Sequence, residues 1–363
     1  MKKIYPIIDK DFLKKNNFHI MVHFLIKNNI NMVQIRVSKP YTYKLLKKIL
    51  LVKKICKKNN CKFIINNDLL IAKFLNADGV HIGHQSILQK LYDWGQGAQL
   101  PTAVLTFEPS PVELLKPNLA PPKLTQSSQK IEILQSFGIS EVFILQFNRD
   151  ISNMSATDFI SGILVDQLRV QHVVIGYDWH FGKNRGGTIA TLEKYGKKYG
   201  FGVSVVEQRQ IDGQSVHSTR IRSAIAEGNL ELAKKMLTRP HTLRGRVTRG
   251  DQRGRHIGFP TANIDAGRQV LPPSGVYATS VTLKNSNSER PTIYESVTNI
   301  GIQPTFGRND SKIEVHILDF NQEIYGKELD VVLQEKIRNE MKFPDTQCLA
   351  KQIREDIKAA RSI

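Results

Sequence analysis

The sequence predicts a protein of mixed class, α/β plus all-β, in which a doubly wound parallel sheet is followed by a small antiparallel β-barrel. A β/α half-barrel-like segment precedes the sheet. Apolar runs alternate with amphipathic stretches as far as residue 237, which is typical of parallel strands joined by helices. Beyond Pro240, β-branched runs are separated by Gly and Pro. The composition changes near residue 80, which separates the half-barrel-like segment from the sheet.

Length and composition indicate a globular protein. A chain of 363 residues, with 40% hydrophobic and 23% charged residues, suggests two or three domains. No apolar run approaches the length of a membrane span, and Met1–Pro6 lacks the apolar stretch of a signal peptide. We therefore expect a cytoplasmic protein with no membrane partner. Cys56, Cys61 and Cys348 form no C-x-x-C pair, so neither a disulfide framework nor a zinc site is indicated.

The net charge of +19 is concentrated at the amino-terminal end. Residues 1–80 carry 17 Lys and Arg against 4 Asp and Glu, so they account for +13 of the total. Sixteen of those cations are Lys, mixed with ten Asn, whereas 18 of the 19 Arg lie after residue 80. This pattern resembles a biased composition more than a surface that follows a phosphate backbone, and we expect no nucleic-acid partner.

The first 76 residues alternate between strands and Lys-rich helical stretches. Strands are predicted at Ile4–Ile8, Met32–Arg36 and Cys61–Ile65, with a helix over Tyr43–Lys58. Strands separated by helices favour parallel pairing.

From residue 79 the alternation continues with longer elements. A helix starts near His84, and Ser155 caps a later one that runs to Leu164. Loops at the carboxyl ends of such strands line the ligand crevice of a doubly wound sheet. The remaining predicted elements are strands at Pro101–Phe107, Glu141–Phe147, Val173–Gly176 and Gly202–Val206, and helices at Ser127–Phe137 and Thr191–Tyr199.

The last third of the sequence predicts the barrel. An Ala-rich helix over residues 223–237 ends at Arg239-Pro240, because proline cannot continue a helix. A final helix, Cys348–Arg361, closes the chain. Between the two lie strands at Leu243–Arg249, Gly275–Leu283, Tyr294–Ile300, Ile313–Phe320 and Leu329–Leu333.

Two short motifs indicate a nucleotide phosphate site. His81-Ile-Gly-His84 places a glycine beside two imidazoles at a helix start, where free backbone N–H groups and a partial positive charge attract phosphate. Ser218-Thr-Arg-Ile-Arg222 lies far downstream and adds hydroxyls and guanidinium groups. Both motifs are expected at the same edge of the sheet.

This pair of motifs resembles the nucleotidyltransferase superfamily, specifically the adenylyltransferase half of the bacterial bifunctional riboflavin kinase/FAD synthetase family. The resemblance runs from about Gly79 to the carboxyl terminus. In the barrel region it continues through Gly250–Gly254, Gly258-Phe-Pro-Thr-Ala-Asn263, Asn299–Phe306, Glu314-Val-His-Ile-Leu-Asp-Phe320, Ile324–Gly326 and Arg338–Phe343.

Residues 1–83 resemble the first half of thiamine-phosphate synthase instead. The matching pieces are Gln34–Arg36, Asn66–Asp68 and Asp78–His81, which that resemblance places at a pyrophosphate and magnesium site. Such a barrel needs eight strands, and the later Gly-rich phosphate loops are missing from this sequence. We therefore expect no synthase activity from this half. Together the two resemblances divide the chain into 1–78, a truncated synthase-like segment; 79–225, a nucleotidyltransferase domain; 226–241, a linker helix; and 242–363, a kinase barrel.

The junction departs from the nucleotidyltransferase pattern. Leu75-Asn-Ala-Asp-Gly79 stands where the family has G-N-F-D-G, so the first strand of the sheet must be Ile71–Leu75 or Cys61–Ile65. A synthase barrel needs a strand at Gly79–Ile82, whereas the transferase needs a turn leading into a helix there, and we expect the turn. Ser215 replaces an arginine that is usual in the family. We expect an intact kinase and an adenylyltransferase that depends on the replaced strand.

The resemblance implies a kinase site in the barrel. Thr261 and Asn263 would hold Mg²⁺ through hard oxygen donors, and Gly250, Gly254 and Gly258 would let the loop backbone cover the phosphates of ATP. Glu314 would accept the proton of the riboflavin hydroxyl, although by alternation alone it is a solvent-facing strand residue. Arg338 is either a flavin contact or an ordinary surface cation.

The resemblance also implies an adenylyltransferase site on the sheet. His81 and His84 would donate to the reacting phosphate, and Ser218, Thr219 and Arg222 would hold the β- and γ-phosphates. Asp178 and Phe181 would line the flavin side. For this loop, and for His180 within it, a buried aromatic loop is the alternative.

The predicted function is FAD biosynthesis, with riboflavin, FMN and ATP as substrates and FMN and FAD as products. Two alternatives remain: a thiamine-phosphate synthase-like fusion, and a flavin-binding protein without turnover. The oligomeric state stays open.

Overall fold

A computed structural model of the chain describes residues 7–8, 32–36, 62–66, 71–75, 80–250, 253–284, 292–305 and 308–363. Before residue 80, at residues 253 and 256, and over 302–305 and 308–311, this description covers the backbone alone. The predicted helix over Tyr43–Lys58 lies outside the described residues. Within them, no helix combines the length and apolar character needed to cross a bilayer.

The amino-terminal strands form a sheet of their own. Ile7–Ile8 (β1), Met32–Arg36 (β2) and Lys62–Asn66 (β3) pair in parallel in the order β1-β2-β3. Parallel pairing agrees with the strand–helix alternation of the sequence. Residues 62–65 of one of the two candidates for the first strand of the next sheet therefore belong to this smaller one.

The second sheet has five parallel strands, which are Ile71–Leu75 (β4), Ala103–Glu108 (β5), Glu141–Gln146 (β6), His172–Gly176 (β7) and Gly202–Val206 (β8). Their order is β6-β5-β4-β7-β8. The middle strand β4 is the other candidate, and the order reverses between β4 and β7. This is the topological switch point at which doubly wound sheets bind ligands.

Helices cover both faces of this sheet. The first begins at Ile82, and Ile87, Leu88 and Leu91 form its buried face. The chain after Val80 therefore makes the expected turn into a helix rather than a strand. The helices are Ile82–Ala98 (α1), Pro111–Leu115 (α2), Ser127–Ser136 (α3), Arg149–Asn153 (α4), Ala156–Asp158 continued by π-helical turns over Phe159–Gln167 (α5) and Ile189–Tyr199 (α6).

The prediction of one helix over residues 223–237 was wrong, because the structure has two helices in this region. A short hairpin of Gln210–Ile211 (β9) and Gln214–Ser215 (β10) leads into two helices, Ser218–Ala226 (α7) and Leu230–Leu237 (α8). Gly228 breaks the run with a positive φ of 83°, and the Asn229 side chain caps α8 by accepting from the Leu232 N–H at 3.0 Å. The Ser218–Arg222 motif consequently occupies the first turn of its own helix.

The carboxyl-terminal part is a closed barrel of six strands, which are Thr242–Thr248 (β11), Ala262–Asp265 (β12), Gly275–Leu283 (β13), Ile293–Thr305 (β14), Arg308–Ile317 (β15) and Glu328–Arg338 (β16). Their order is β11-β12-β15-β14-β13-β16. Alternate residues such as Leu243, Tyr277 and Val331 fill the core. The sequence missed β12, which is only four residues long. The helices of this part are Arg253–His256 (α9) and Thr346–Ser362 (α10).

A buried arginine joins the barrel to the sheet domain. Arg244 of β11 is 1% exposed, and its guanidinium donates to both carboxylate oxygens of Glu132 in α3 at 2.8 and 3.0 Å. On its other side it donates to both oxygens of Asp330 in β16 at 2.6 Å. Lys284 adds a bond of 2.7 Å to Glu132. Bidentate pairs of this kind fix both distance and angle.

These contacts determine the pKa values of the pair. Hydrogen bonds from Arg244 lower the pKa of Glu132 from 4.5 to about 2. Burial alone would lower the pKa of Arg244, but its bonds to Asp330 and Glu132 raise it above the usual value. Both groups are therefore charged at neutral pH.

Replacing Arg244 with methionine should destabilise the protein by about 3 kcal/mol, because the carboxylates of Glu132 and Asp330 lose the buried bidentate guanidinium and keep only the more exposed Lys284 as counter-charge. Urea unfolding should show a lower midpoint. Arg361→Met is the matched control, since Arg361 forms an exposed pair with Asp319 at 2.7 Å and should change stability by less than about 1 kcal/mol. Equal effects of the two changes would contradict the role given to Arg244.

The same variant should show a specific pH dependence. Glu132 has a folded-state pKa below its unfolded value of 4.5, so its stabilisation is complete above pH 4.5 and is lost as the pH falls toward about 2. The stability difference between wild type and Arg244→Met should therefore narrow over that range. A constant difference in urea titrations from pH 6 to pH 3 would argue against this linkage.

Candidate functional site

The two histidines of the first motif lie at the amino end of α1. His81 is the N-cap residue and is 6% exposed. Its ring lies 3.8 Å from the ring of His84, measured between centroids. A Cβ at position 83 would lie 3.1 Å from Cε1 of His81, so Gly83 leaves the space that this ring occupies. The glycine between the histidines is thus a packing requirement.

The structure brings the two phosphate motifs together. A Cβ on Gly83 would also lie 3.8 Å from the carbonyl oxygen of Val216, two residues before Ser218. Ile82 packs in the same apolar cluster as Val216 and Ile221. The amino ends of α1 and α7 are therefore neighbours, and both present backbone N–H groups to the same region.

The first turn of α7 has a cap that the sequence did not indicate. His217 accepts a hydrogen bond from the Arg220 N–H through Nδ1 at 3.2 Å. Ser218 is half-buried and Thr219 is exposed on this turn. Arg222 donates from Nε to the carbonyl oxygen of Pro122 at 2.7 Å, which fixes its side chain against the loop before α3.

The loop after β7 reaches the same edge of the sheet. Asp178 is exposed, and a Cβ on Gly176 would lie 3.4 Å from its Oδ1 and 3.5 Å from Ile87 of α1. Phe181, by contrast, is 7% exposed and stacks on Trp179 at 4.4 Å. Its ring offers little surface to a flavin, and the buried-aromatic alternative describes its position. His180 is exposed and lies 2.9 Å from the Asp178 carbonyl oxygen.

A cavity of about 150 Å³ opens at the mouth of the barrel. Thr261 lines it, together with Arg255, Pro260 and the loop that runs from Phe320 to Tyr325. The inward-facing strand residues Val247 and Val315 form its floor. This cavity adjoins the segment Gly258–Asn263 that the sequence singled out.

Asn263 and Glu314 lie directly opposite each other on β12 and β15. Opposite residues of an antiparallel pair share a face of the sheet. Their neighbours Ile264 and Val315 point into the barrel core, so Asn263 and Glu314 are on the outer face. The carboxylate of Glu314 lies 3.1 Å from Nζ of Lys312.

Three glycines hold the loop against this pair. A Cβ on Gly250 would collide with the side-chain amide of Asn263, and one on Gly254 would collide with the carbonyl oxygen of Phe259. Gly258 has a φ of +87°, which favours glycine. The backbone at Gly250 can therefore approach Asn263 closely, and the backbone at Gly254 can approach Phe259 and Thr261 closely, only because these positions are glycine.

The donor set at this site suits Mg²⁺ carried by a nucleotide. The Thr261 hydroxyl and the Asn263 side-chain oxygen are hard, neutral ligands of the type that Mg²⁺ accepts beside substrate phosphates. Over the described ranges, no group of three or more His, Cys, Asp or Glu side chains could hold a metal by itself. The residues present thus fit an ion that arrives with ATP.

Arg338 is engaged elsewhere. Its Nε and Nη2 donate to the two carboxylate oxygens of Asp356 at 2.8 and 2.7 Å, and Nη1 donates to the Asn339 carbonyl oxygen. Asp356 is 2% exposed in α10. The surface-cation alternative does not describe this geometry, because the pair attaches the last helix to β16, and the flavin contact stays a prediction.

His316 is a further residue that the sequence did not single out. It lies 2.8 Å from the carbonyl oxygen of Pro260 through Nδ1, and its ring meets Phe259 edge-on at 5.7 Å. These contacts hold the start of the Thr261–Asn263 segment. The signal was present, because the alternation Glu314-Val-His-Ile places His316 on the same face as Glu314.

Three family models match successive parts of the chain. The model for thiamine monophosphate synthase matches residues 4–90, that for FAD synthetase matches 71–220, and that for riboflavin kinase matches 237–363. The FAD synthetase match begins at the first residue of β4. The first two matches overlap over β4 and the start of α1.

Curated relatives match across both of the later regions. The bifunctional riboflavin kinase/FMN adenylyltransferase of Escherichia coli K12 is 41% identical over 286 residues, which is 79% of this chain and 90% of that protein. The protein of the same name from Haemophilus influenzae is 40% identical over 287 residues, 79% of this chain and 92% of that one.

A solved structure shares the fold. The crystal structure titled as a macrolide-efflux protein from Streptococcus pneumoniae superposes with a TM-score of 0.72 at 29% identity. The match covers 82% of this chain and 95% of that one.

The close contact between Gly250 and the Asn263 side chain can be tested by mutation. Gly250→Ala should push the Asn263 amide aside and weaken Mg·ATP binding at the barrel at least about tenfold, since losing one contact of about 1.4 kcal/mol has that effect. Calorimetric titration of ATP in the presence of Mg²⁺ would measure it. Gly97→Ala in α1 is the control, because a Cβ there meets none of the described atoms within 4 Å. Unchanged affinity in Gly250→Ala would remove Asn263 from the site.

Proposed function

The chain belongs to the family of bifunctional riboflavin kinase/FMN adenylyltransferases, and from this premise we propose which of its residues carry each reaction. It phosphorylates riboflavin to FMN and adenylylates FMN to FAD, with ATP as the second substrate of both steps. The thiamine-phosphate synthase alternative is not favoured, because β1–β3 form a separate three-stranded sheet and β4 belongs to the transferase sheet. The family membership likewise disfavours a flavin-binding protein without turnover.

The observation that carries the kinase proposal is the pairing of Asn263 with Glu314 beside the glycine loop. Glu314 accepts the proton of the 5′-hydroxyl of riboflavin, whose oxygen forms a bond to the γ-phosphorus of ATP as ADP leaves. Thr261 and Asn263 would hold Mg²⁺, and the ion would supply positive charge to neutralise the phosphates. The backbone of Gly250, Gly254 and Gly258 covers the phosphates.

The adenylyltransferase proposal rests on the adjacent amino ends of α1 and α7. A phosphate oxygen of FMN attacks the α-phosphorus of ATP and pyrophosphate leaves, so negative charge moves onto the bridging oxygen. His81 and His84 donate hydrogen bonds to the reacting phosphate. Ser218 and Thr219 supply donors for the β- and γ-phosphates at the start of α7, with Arg222 at the end of that turn. Asp178 lies on the flavin side.

The departures from the family pattern bear on the second reaction. The foreign strand β4 occupies the centre of the sheet in parallel register with β5 and β7. This supports an assembled transferase site despite the altered turn before His81. The proposal includes a cytoplasmic location, because both steps need ATP, and it includes no nucleic-acid partner.

Incubation with riboflavin, ATP and Mg²⁺, followed by chromatography, tests the assignment as a whole. FMN should appear first and FAD afterwards. Absence of FMN would end the kinase proposal, and FMN that is never converted to FAD would end the adenylyltransferase proposal for this chain.

Glu314→Gln should lower kcat for FMN formation by about 10²–10⁴-fold, because the glutamine cannot take the hydroxyl proton. FAD formation from added FMN should stay at the wild-type rate. Glu335→Gln is the control, since Glu335 is an exposed carboxylate on the same barrel. Full kinase activity in Glu314→Gln would support the solvent-facing alternative for this residue.

His84→Ala should impair the adenylyltransferase and leave the kinase unchanged, the opposite of Glu314→Gln. Loss of one preorganised donor should lower kcat for FAD formation from FMN by about 10²–10³-fold while riboflavin phosphorylation continues unchanged. Steady-state rates with each flavin supplied separately would measure both. Wild-type FAD formation in this variant would exclude His84 from the transfer step.

A further inference from the structure

A short segment between the two catalytic parts forms hydrogen bonds on both sides of the His81–His84 motif. Arg239 lies between α8 and β11, and its Nη1 donates to the carbonyl oxygens of Val80 at 2.8 Å and Leu237 at 3.1 Å. Val80 immediately precedes His81, the N-cap residue of α1. The guanidinium therefore holds the backbone from which the His81 side chain projects.

The same segment also contacts Gln85, at the other end of the turn that carries the two histidines. Gln85 donates from Nε2 to the Leu237 carbonyl oxygen at 2.9 Å and lies 2.6 Å from the Thr238 hydroxyl. Val80 and Gln85 flank the two histidines. We name these contacts of residues 237–239 with Val80 and Gln85 the linker clamp.

The clamp is itself fixed to the barrel. His241 is 3% exposed, and burial lowers its pKa to about 4, so the ring is neutral at physiological pH. Its Nε2 donates to the Val270 carbonyl oxygen at 2.9 Å. The Leu333 N–H donates to the carbonyl oxygen of His241 at 3.0 Å. The residues just after Arg239 are thus held by the kinase barrel.

The chemistry of Arg239 indicates a specific use. Burial lowers its pKa to about 10, so the side chain remains charged although water is partly removed from it. In the part of the chain that the structure describes, two backbone carbonyls accept its hydrogen bonds, and both lie on or against the histidine turn. Desolvating a cation costs free energy, and its bonds to carbonyls offset that cost only while Val80 stays in place.

The altered sequence before His81 makes the contact between Arg239 and Val80 more important for the position of His81 in this chain. Leu75-Asn-Ala-Asp-Gly79 departs from the G-N-F-D-G pattern that precedes the histidines in the family. The position of His81 then depends more on contacts made after it.

We propose that Arg239 is a positioning residue for adenylyl transfer, which acts by fixing the Val80 carbonyl and through it the His81 ring. The proposal rests on the assignment of His81 and His84 to the transfer step. It gives the linker, and through His241 the kinase barrel, a part in the geometry of the other site. A displacement of about 1 Å at a reacting group can cost about a hundredfold in rate.

Kinetics of Arg239→Met in the full chain test the proposal. With FMN and ATP supplied, kcat for FAD formation should fall about 10–100-fold, while KM for each substrate stays within about threefold, because the substrate contacts remain. Riboflavin phosphorylation should be unchanged. Arg239→Lys, which keeps a charged donor, should recover part of the lost rate. Lys235→Met on the exposed face of α8 is the control and should match wild type in both assays.

A measurement independent of turnover separates this idea from the proposed function. In protein labelled with ¹⁵N-histidine, the ring signals of His81 and His84 should shift in Arg239→Met and stay in place in Lys235→Met, whether or not the wild type makes FAD. Unshifted rings, an unchanged kcat, or an equal loss of both activities would overturn the positioning role. If the wild type makes no FAD but the ring signals shift in Arg239→Met, the assigned reaction is refuted while the effect of the linker clamp on the histidines is supported.

Discussion

The guanidinium of Arg244 is a buried ionic connection between the barrel and the sheet domain. It is clamped between the carboxylates of Glu132, on a helix of the sheet domain, and Asp330, on a barrel strand. Buried pairs often add little net stability, because desolvation offsets much of the attraction. What bidentate geometry supplies is a fixed orientation. Here it orients two domains whose sites do different chemistry, and an apolar contact of the same area would leave that angle less defined.

A second connection runs along the loop before α3. Backbone hydrogen bonds join Lys123 to Arg268 at 2.7 Å and to Val270 at 2.9 Å, so this loop pairs with the barrel. On the sheet side, Lys123 forms ion pairs with Glu108 and Glu113, and the Pro122 carbonyl accepts from Arg222. Both phosphate motifs of the sheet are therefore braced by segments attached to the barrel: α7 through this loop, and α1 through the linker clamp. The two catalytic parts are physically continuous.

Much of this fold could be predicted from residue patterns. The strands Gly202–Val206 and Gly275–Leu283 were predicted with the bounds they have, because turn residues flank strongly β-forming runs. β12 escaped notice because four residues carry too little periodicity, and the break at Gly228 was hidden within a continuous helical pattern. The motifs supplied the candidate residues of both sites, and the roles of these residues stay predictions. The engagement of Arg338 could not be foreseen, since its partner Asp356 lies on the far side of a turn and meets it only through packing. The burial of Phe181 could not be predicted either, because the residues around it do not distinguish a ring that faces a ligand from one that packs in the core.

The origin of β4 has a consequence for how this chain can be divided. The synthase-like and transferase-like patterns overlap at this strand, and it lies in the middle of the five-stranded sheet rather than at a margin. Truncation on the amino side of Ile71 would leave all five strands. Truncation after Leu75 would take away the strand that β5 and β7 share, leaving two separate pairs with no hydrogen bonds between them. The described strands before Ile71 thus add nothing to this sheet, whereas loss of Ile71–Leu75 would remove the hydrogen bonds that join its two halves.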